Sequence, residues 1–496
     1  MKKNLKILLG SLILILLSAA IFNYFHQDIQ IQSVTLTSPN NLAFEEDIKI
    51  ELSRPSGLFV RYWMKGSPER FRTAKSGKAI EHTAHLMLLQ TDTTYEYEIV
   101  IDQFLGQRSR VLSFRTPKQS PWLKINWVSD DHPHDPKALG NGLAMLCYGR
   151  VPGYIAMVDG LGQIRWYWQI GDIGVRAATF TPQGTILAML RPPKVDAIDD
   201  TPKSQAEILN ELHVPMRRGS LGFAGGTAIA EIDLTGKMLW RVDLDKVQTG
   251  EFKIIHHDVL KDKRGYIHTL YRPKKIVDMS AFGGSGIDTL GGDGILVIDS
   301  TGREIRKWNV WDVWDIKKDP YIKRFAYDRF HMNSLIFDRD SNYLVSVAVE
   351  DQVWKINAKS GKIMWKFGKN GDFKMDTTSW FSFQHSVNIN LRNELMLFDN
   401  SLFRKESRGI SFTLDTLSMT ATTKINAPLP KSKYTSRMGS AYLLPNGNLL
   451  QTSAKTGTVM VTTDKGLILW ELHASFVPYR TEYVPEIFWS KYFVRD

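Results

Sequence analysis

A short pattern of strand, turn and strand recurs along the chain after residue 118, and it constrains the fold more than any other feature. Each copy has a hydrophobic run, an Asp-x-x-Gly type of turn that supplies a positive φ, and a second run ending in an aromatic residue. The clear copies are 155–166, 229–240, 295–308, 353–365 and 459–470. A weaker copy, 410–419, lacks the tryptophan. We interpret the matching tryptophans as packing residues.

A second pair of strands lies between successive copies, with turns such as Pro182-Gln-Gly184 and Pro445-Asn-Gly447. Four strands per unit, repeated about six times, are the signature of a β-propeller, because one unit buries both faces only against its neighbours. We therefore predict a six-bladed β-propeller over residues 118–496. The spacing exceeds the ~40–45 residues of common propeller repeats, so insertions such as 191–226 and 312–330 should decorate the ring.

Residues 28–117 carry short alternating runs separated by turn residues. Alternation with a period of two predicts an antiparallel sandwich, and the fold class is all-β throughout. The segment 89–97 resembles the approach to the tyrosine corner of fibronectin type III domains, where a tyrosine hydroxyl ties a strand to the preceding loop. Two ordinary strand tyrosines are the alternative. We predict an Ig/fibronectin III-like β-sandwich.

The first 27 residues are typical of a signal-anchor or a signal peptide. Lysines at positions 2, 3 and 6 precede an uncharged stretch, 7–25, which is close to the ~20 residues that cross a bilayer. Aromatic residues follow the small residues Ser18, Ala19 and Ala20, which disfavours cleavage. We predict an uncleaved membrane anchor helix with the body translocated; a cleaved signal is the alternative.

Composition excludes several classes of site. The chain has 63 Lys+Arg against 52 Asp+Glu, a formal net charge of +11, but no basic run is interleaved with aromatic residues. Nucleic-acid binding is therefore not predicted. A single cysteine, Cys147, excludes an internal disulfide framework, a cysteine-rich zinc site and iron–sulfur ligation.

Histidines occupy equivalent places in separate repeats. His257 lies eight residues before Gly265, and His385 lies eight before Asn393. If these residues begin innermost strands, their imidazoles meet at one mouth of the central channel.

A third repeat contributes an asparagine and a histidine. Asn333 holds nearly the same position before its turn as His257 and His385 do before theirs. His331, two residues earlier, lies on the same face of the strand as Asn333. Two alternatives stay open: each histidine forms local hydrogen bonds in its own blade, or the cluster ligates copper or zinc.

The order of several short motifs resembles that of the bacterial aryl-sulfate sulfotransferases, periplasmic enzymes with an N-terminal β-sandwich and a six-bladed propeller. The motifs are His257-Asp258, His331-Met-Asn333-Ser334, Lys369-Asn-Gly371-Asp-Phe373 followed by Gln384-His385, Leu397-Phe-Asp399-Asn400, Ser407-Arg408 and Leu444-Pro-Asn446-Gly447-Asn448. The resemblance implies a body in the periplasm, anchored at the inner membrane, or secreted if the N-terminal segment is cleaved.

The resemblance also implies a mechanism. His385 would be the nucleophile that takes a sulfuryl group from an aryl sulfate, and a phenol would then accept it from sulfohistidine. His257 and His331 would donate to the sulfuryl oxygens or protonate the departing phenolate, and Asn333 would bind substrate. His256 is the alternative inward member of its pair. No cofactor or metal is implied, the partners are small aromatic molecules, and the oligomeric state is open.

One departure from the family pattern concerns an arginine that clamps the sulfuryl oxygens. Alignment of residues 344–350 on its strand places Ala348 at that position. Arg437, at the start of the corresponding strand of the last blade, is the candidate substitute. The alternative function is a non-catalytic envelope propeller that binds a ligand or scaffolds an assembly.

Overall fold

The computed structural model describes residues 15–18, 29–38, 44–102, 107–119, 123, 125–127, 134–171, 173–191, 201–211, 225–244, 254–284, 286–323 and 327–496. The chain divides into two compact units, residues 1–120 with 487–496, and residues 121–486. The sequence did not predict that the final segment belongs to the first unit. The boundaries at residues 27 and 117 stay predictions.

The first unit is antiparallel and built around one long strand. Its strands begin with β1 (Ile31–Thr37), β2 (Glu46–Met64), β3 (Phe71–Thr73), β4 (Ala79–Leu86), β5 (Thr94–Asp102), β6 (Gln107–Arg108) and β7 (Leu112–Arg115). The first part of β2 pairs with β1 and β4, and its second part with β3 and β5. The Tyr95 hydroxyl accepts a hydrogen bond from Gln90 N at 2.9 Å, as the tyrosine pattern predicted. Membership of the Ig/fibronectin III-like class stays a prediction.

The second unit contains strands from 125 to 484 and a short helix, Gln205–Glu211. The strands up to residue 309 are β8 (Ile125–Trp127), β9 (Leu143–Tyr148), β10 (Gly153–Val158), β11 (Ile164–Ile170), β12 (Gly174–Phe180), β13 (Ile186–Arg191), β14 (Gly225–Gly226), β15 (Ala228–Ile232), β16 (Met238–Asp243), β17 (Ile255–Lys261), β18 (Ile267–Tyr271), β19 (Lys274–Asp278), β20 (Ile287–Gly291), β21 (Gly294–Ile298) and β22 (Glu304–Asn309). The later strands are β23 (Met332–Phe337), β24 (Tyr343–Val347), β25 (Gln352–Ile356), β26 (Ile363–Gly368), β27 (His385–Ile389), β28 (Leu395–Asp399), β29 (Arg408–Asp415), β30 (Thr420–Pro428), β31 (Ser440–Leu443), β32 (Leu449–Ser453), β33 (Thr458–Thr462), β34 (Ile468–Ala474) and β35 (Thr481–Val484).

These strands form the six blades that the repeat predicted. The blades are β35-β9-β10-β11, β12-β13-β15-β16, β17-β18-β21-β22, β23-β24-β25-β26, β27-β28-β29-β30 and β31-β32-β33-β34. Strand β14 extends the third blade and β8 the sixth. The first blade takes its innermost strand, β35, from the far end of the propeller sequence, so β35 pairs with β9 and closes the ring.

The repeated tryptophans join neighbouring blades, which confirms their interpretation as packing residues. The indole N–H groups of Trp166, Trp308 and Trp470 donate to carbonyl oxygens in the Asp-x-x-Gly type turn of the next blade. Their acceptors, at 2.8 to 2.9 Å, are Leu234 O, Gly361 O and Gly160 O respectively. Trp240 differs, because it donates to Glu231 Oε2 in its own blade.

The end of the chain returns to the first unit. The last strand, β36 (Phe493–Arg495), pairs with β3. Across the part of the chain that the structure describes, no helix is both long enough and apolar enough to span a bilayer. The predicted anchor, residues 1–27, lies outside the described residues except for 15–18.

Candidate active site

The innermost strands of four consecutive blades are irregular near their first residues. The strand register shifts between Val175 and Ala177 in β12, His256 and Val259 in β17, Met332 and Ser334 in β23, and His385 and Asn388 in β27. A β-bulge changes the direction of a side chain and is common beside active sites. The same end of each inner strand therefore carries side chains turned out of the regular pleat.

Three predicted histidines from three blades come together at these irregular ends. The ring centroids of His257 and His331 are 5.2 Å apart, and those of His331 and His385 are 6.5 Å apart. The ring of Tyr479, which precedes the closing strand β35, lies 5.8 Å from His257 and 6.4 Å from His385. We call His257, His331, His385 and Tyr479 the histidine cup. The three imidazoles thus meet at one place although they come from three different blades.

Several residues at and around the histidine cup have strained backbone angles. Positive φ angles occur at His257 (62°), His331 (50°), Phe383 (52°), Ser386 (52°) and Met438 (62°). Such angles are uncommon for residues with bulky side chains, and each costs about 1–3 kcal/mol. Strain of this kind persists where the surrounding structure fixes it and is typical of functional sites.

His385 is held in one tautomer. It is 1% exposed, and its Nδ1 donates to Asn400 Oδ1 at 2.8 Å and lies 3.0 Å from Phe383 O. Its Nε2 accepts a hydrogen bond from Met438 N at 3.2 Å. The proton is thus on Nδ1 and the lone pair on Nε2. Burial, helped by the neighbouring His331, lowers the pKa of His385 to about 3, so the ring is neutral at physiological pH.

The motif around Asn400 holds both the His385 ring and the turn that faces it in place. Asn400 Nδ2 donates to Thr435 O and Met438 O, so one amide holds both the imidazole and the turn that faces it. The adjacent Asp399 accepts from Ser382 N and Arg408 Nε, each at 2.9 Å. This motif supports the loop that leads into β27.

His331 is paired with a buried carboxylate. Its Nδ1 bonds Asp328 Oδ2, and Asp328 Oδ1 accepts from Arg272 Nη1 at 2.8 Å. Burial alone would raise the pKa of Asp328, but His331 and Arg272 lower it below its usual range. The imidazole also stacks on Phe383 with ring centroids 5.4 Å apart. A carboxylate at Nδ1 leaves Nε2 as the nitrogen that exchanges protons.

His256 lies behind His257. Their Nδ1 atoms are 2.7 Å apart, and His256 Nε2 lies 3.2 Å from Asp293 Oδ1. The latter contact meets the distance of an ion pair without the alignment of a hydrogen bond. Burial lowers the pKa of both histidines. Because His257 is the ring that contacts His331 and Tyr479, the inward member of the pair is His257.

The family model described as Arylsulfotransferase (ASST) matches residues 130–477. The chain belongs to the arylsulfotransferase family. The match covers most of the propeller, including all three histidines of the histidine cup.

The solved structures that are similar to this chain are distant from it in sequence. A protein of unknown function from Bacteroides caccae is 12% identical, with 70% of this chain and all of that chain covered and a TM-score of 0.39. A protein from Lactobacillus plantarum is 11% identical, covering 69% of this chain and 100% of that chain, with a TM-score of 0.34. Virginiamycin B lyase from Staphylococcus aureus is 9% identical, covering 92% and 100%, with a TM-score of 0.30. No curated protein matches.

The other residues singled out from the sequence occupy different surroundings. Asn333 is buried. Its side-chain Nδ2 donates to Gln384 O at 2.8 Å, and its backbone carbonyl accepts from the Tyr479 hydroxyl at 2.9 Å. Ala348 is buried, and its N lies 3.3 Å from His331 O in a backbone hydrogen bond. Arg437 has an exposed side chain. The roles of all predicted site residues stay predictions.

Sequence reasoning missed two residues of this candidate site. Tyr479 lies outside the repeats, so no pattern identified it. Arg176 places its guanidinium carbon 4.5 Å from the centroid of the Tyr479 ring. Its signal was present, because Arg176 lies eight residues before Gly184 just as His257 lies eight before Gly265.

A metal-ligand set was one of the alternatives for the histidines. Among the residues that the structure describes, no group of three or more His, Cys, Asp or Glu side chains is arranged to hold a metal ion.

Proposed function

We propose that this arylsulfotransferase moves a sulfuryl group from a phenolic sulfate ester to another phenol through a sulfohistidine intermediate on His385. The observation that carries the proposal is the state of His385. It is buried and neutral, its Nδ1–H is held by Asn400, and its lone pair is on Nε2. A neutral, oriented and buried imidazole is a competent nucleophile.

In the first step, His385 Nε2 attacks the sulfur atom. The N–S bond forms while the S–O bond to the aryl group breaks, and the phenolate departs with the electron pair. The imidazole keeps its Nδ1 proton and becomes positively charged, and Asn400 Oδ1 and Phe383 O stabilise that charge. Bond formation also takes away the lone pair that Met438 N–H now contacts, so this amide becomes available to a sulfuryl oxygen.

Proton transfer is assigned to His331. With Nδ1 bonded to Asp328, protonated His331 gives its Nε2 proton to the departing phenolate. In the second step it removes the hydroxyl proton of the incoming phenol, whose oxygen attacks sulfur as the N–S bond breaks. The proton count is then restored, and His385 is again neutral.

His257 is assigned to the incoming phenol. The Asp293 carboxylate beside His256 Nε2 favours a proton there, so His256 Nδ1 accepts from His257 Nδ1. His257 Nε2 is then an acceptor rather than a donor, suited to orient the phenol hydroxyl. Asn333, with one amide hydrogen used by Gln384 O, is assigned to position the chain before His385.

The test is release of p-nitrophenol from p-nitrophenyl sulfate with phenol as acceptor. We expect ping-pong kinetics in the wild type and no acceptor-dependent release in His385→Asn. His268→Gln is a matched control, because His268 is also a buried histidine but bonds Tyr343 between blades. Unchanged release in His385→Asn would eliminate the nucleophile.

The second candidate is a non-catalytic propeller that binds a ligand in the cell envelope. Ala348 at the expected arginine position favours it. This candidate predicts that p-nitrophenyl sulfate binds to the wild type with no turnover, whereas the enzymatic proposal requires turnover.

We also propose that residues 1–27 anchor the protein at a bacterial inner membrane with the body in the periplasm. The supporting observation is the uncharged stretch 7–25 after three lysines. N-terminal sequencing of protein from the membrane fraction should begin at or near Met1; a start after residue 20 would indicate cleavage.

A further inference from the structure

We infer that Arg176 is a catalytic residue whose guanidinium contacts the sulfuryl oxygens during transfer. The inference rests on the proposed function and adds the cation that the site otherwise lacks at Ala348. It draws on three observations: the place of Arg176 in the internal repeat, the local geometry of β12, and the surroundings of its guanidinium.

The internal repeat places Arg176 in the same position as the site residues. In five blades, one residue lies eight positions before the positive-φ residue of the turn after the innermost strand. These pairs are Arg176 and Gly184, His257 and Gly265, Asn333 and Ser341, His385 and Asn393, and Gly439 and Gly447. Arg176 is the cationic member of this set, and the set contains two of the three cup histidines.

The geometry of β12 turns Arg176 out of the sheet. Val175 pairs with Leu190 and Ala177 pairs with Met189, so Arg176 is the extra residue of a bulge. Val175 and Ala177 are buried, at 0% and 2% exposed, whereas Arg176 is half-buried. A bulge of this kind turns the side chain out of the regular pleat, which lets the guanidinium reach the Tyr479 ring.

The guanidinium of Arg176 lies at the histidine cup. Tyr479 connects Arg176 to the histidines. The guanidinium lies over the Tyr479 ring, and the same ring contacts His257 and His385. Burial is the main cause of the lowered pKa of His257 and His385, and the charge of Arg176 contributes to both. The positive charge of Arg176 is therefore close enough to act on both imidazoles.

Sulfuryl transfer spreads negative charge over the peripheral oxygens, and the neutral imidazoles of His257 and His385 do not balance it. A guanidinium presents several N–H donors in one plane and matches this charge in shape. By analogy with an arginine that stabilises phosphoryl transfer, its loss costs about 10³–10⁵-fold in rate.

The experiment compares Arg176→Gln, Arg176→Lys and Arg176→Ala with the wild type, using p-nitrophenyl sulfate and phenol. Arg241→Gln is the control, because Arg241 is on the outer strand of the same blade and pairs with Asp243. We expect Arg176→Gln to lower kcat and kcat/KM together by at least about 10²-fold. Arg176→Lys should retain an intermediate rate. Added guanidinium ion should restore part of the activity of Arg176→Ala, which a structural role would not produce.

The outcomes are distinguishable. An active wild type with Arg176→Gln within about threefold of it, or a larger loss in Arg437→Gln than in Arg176→Gln, overturns the role of Arg176 and leaves the proposed function intact. A wild type that neither turns over nor forms a sulfuryl adduct overturns the proposed function and this inference with it. If Arg176→Gln fails to fold, the Arg176→Lys rate and the guanidinium rescue decide.

Discussion

At the scale of single residues, Asn400 determines how His385 is presented. It is fully buried and uses both ends of its amide, with Oδ1 toward the imidazole and Nδ2 toward two carbonyl groups of the facing turn. An oriented nucleophile needs such a partner, because the free imidazole samples both tautomers and many ring angles.

Replacement of Asn400 by Ala is expected to lower kcat/KM by about 10–100-fold, by analogy with partners that orient metal-bound histidines. Asn446→Ala is the control. Asn446 follows β31, whereas Met438, which contacts His385, precedes that strand, and the Asn446 Nδ2 donates to Ala138 O. Steady-state kinetics check the prediction. Equal rates for the two variants would mean that His385 does not depend on its Nδ1 partner.

The sequence located His257 and His385 because they repeat at one position of the blade, and His331 because it lies two residues before that position on the same face of its strand. It could not locate Asn400 as the His385 partner or Tyr479 as the shared neighbour, because both contacts depend on how loops between blades fold. The ordering of His256 and His257 depends on Asp293, which is far from them in the chain.

At the scale of elements, an insertion packs on the fourth blade through one arginine. Arg329, 1% exposed, lies 2.6 Å from both Asp319 and Glu350. Its guanidinium also lies 5.4 Å from the ring of Trp314, which stacks on Trp354. The sequence predicted an insertion here, but not that a buried charge would hold it.

Replacement of Arg329 by Met leaves two carboxylates without their cation. We expect the free energy of unfolding to fall by about 3–5 kcal/mol, measured by urea denaturation. Lys318→Met removes an exposed ion pair of the same insertion and should change stability by less than about 1 kcal/mol. Similar effects of the two changes would contradict this account.

The tryptophan contacts between blades give a second prediction at this scale. Trp470→Phe keeps an aromatic ring but leaves the carbonyl of Gly160 without its N–H donor. We expect a loss of about 1–3 kcal/mol and a lower melting temperature. Trp365→Phe is the matched control, since Trp365 packs against Phe373 in an apolar cluster between the fourth and fifth blades. A Trp470→Phe melting temperature equal to that of the wild type would show that the contact is not stabilising.

At the scale of the whole molecule, the ring closes around ionisable groups that are buried in their neutral form. Burial lowers the pKa of His385 to about 3 and that of His268 to about 4. The unfolded chain binds protons on these histidines near pH 6.5, whereas the folded protein does not. Stability is therefore complete above about pH 6.5 and falls as the pH decreases toward these folded values.

Between pH 6.5 and 5, we expect the free energy of unfolding to decrease by up to about 1.4 kcal/mol per pH unit for each such histidine. Asp351 partly offsets this, because burial raises its pKa to about 6 and the folded state takes up that proton. Denaturation at several pH values measures the slope. The double variant His268→Gln, His385→Gln should have a shallower slope than the wild type; an identical slope would contradict the assignment.

The repeat predicted the number of blades because every blade needs the same hydrophobic strands. It did not predict how the ring closes, since β35 carries no copy of the pattern and joins β9 across almost the whole propeller sequence. Nor did it predict that β36 returns to β3. Such pairings depend on which edge strands stay unpaired once the other sheets have formed.

The central claim is that His385 carries the sulfuryl group, and intact-mass spectrometry tests it most directly. The protein is mixed with p-nitrophenyl sulfate without an acceptor and measured at once, then fragmented to locate the adduct. We predict a mass increase of one SO₃ group on His385 that disappears when phenol is added and is absent in His385→Asn. An adduct on another residue, or acceptor-dependent turnover with no adduct, would contradict the claim.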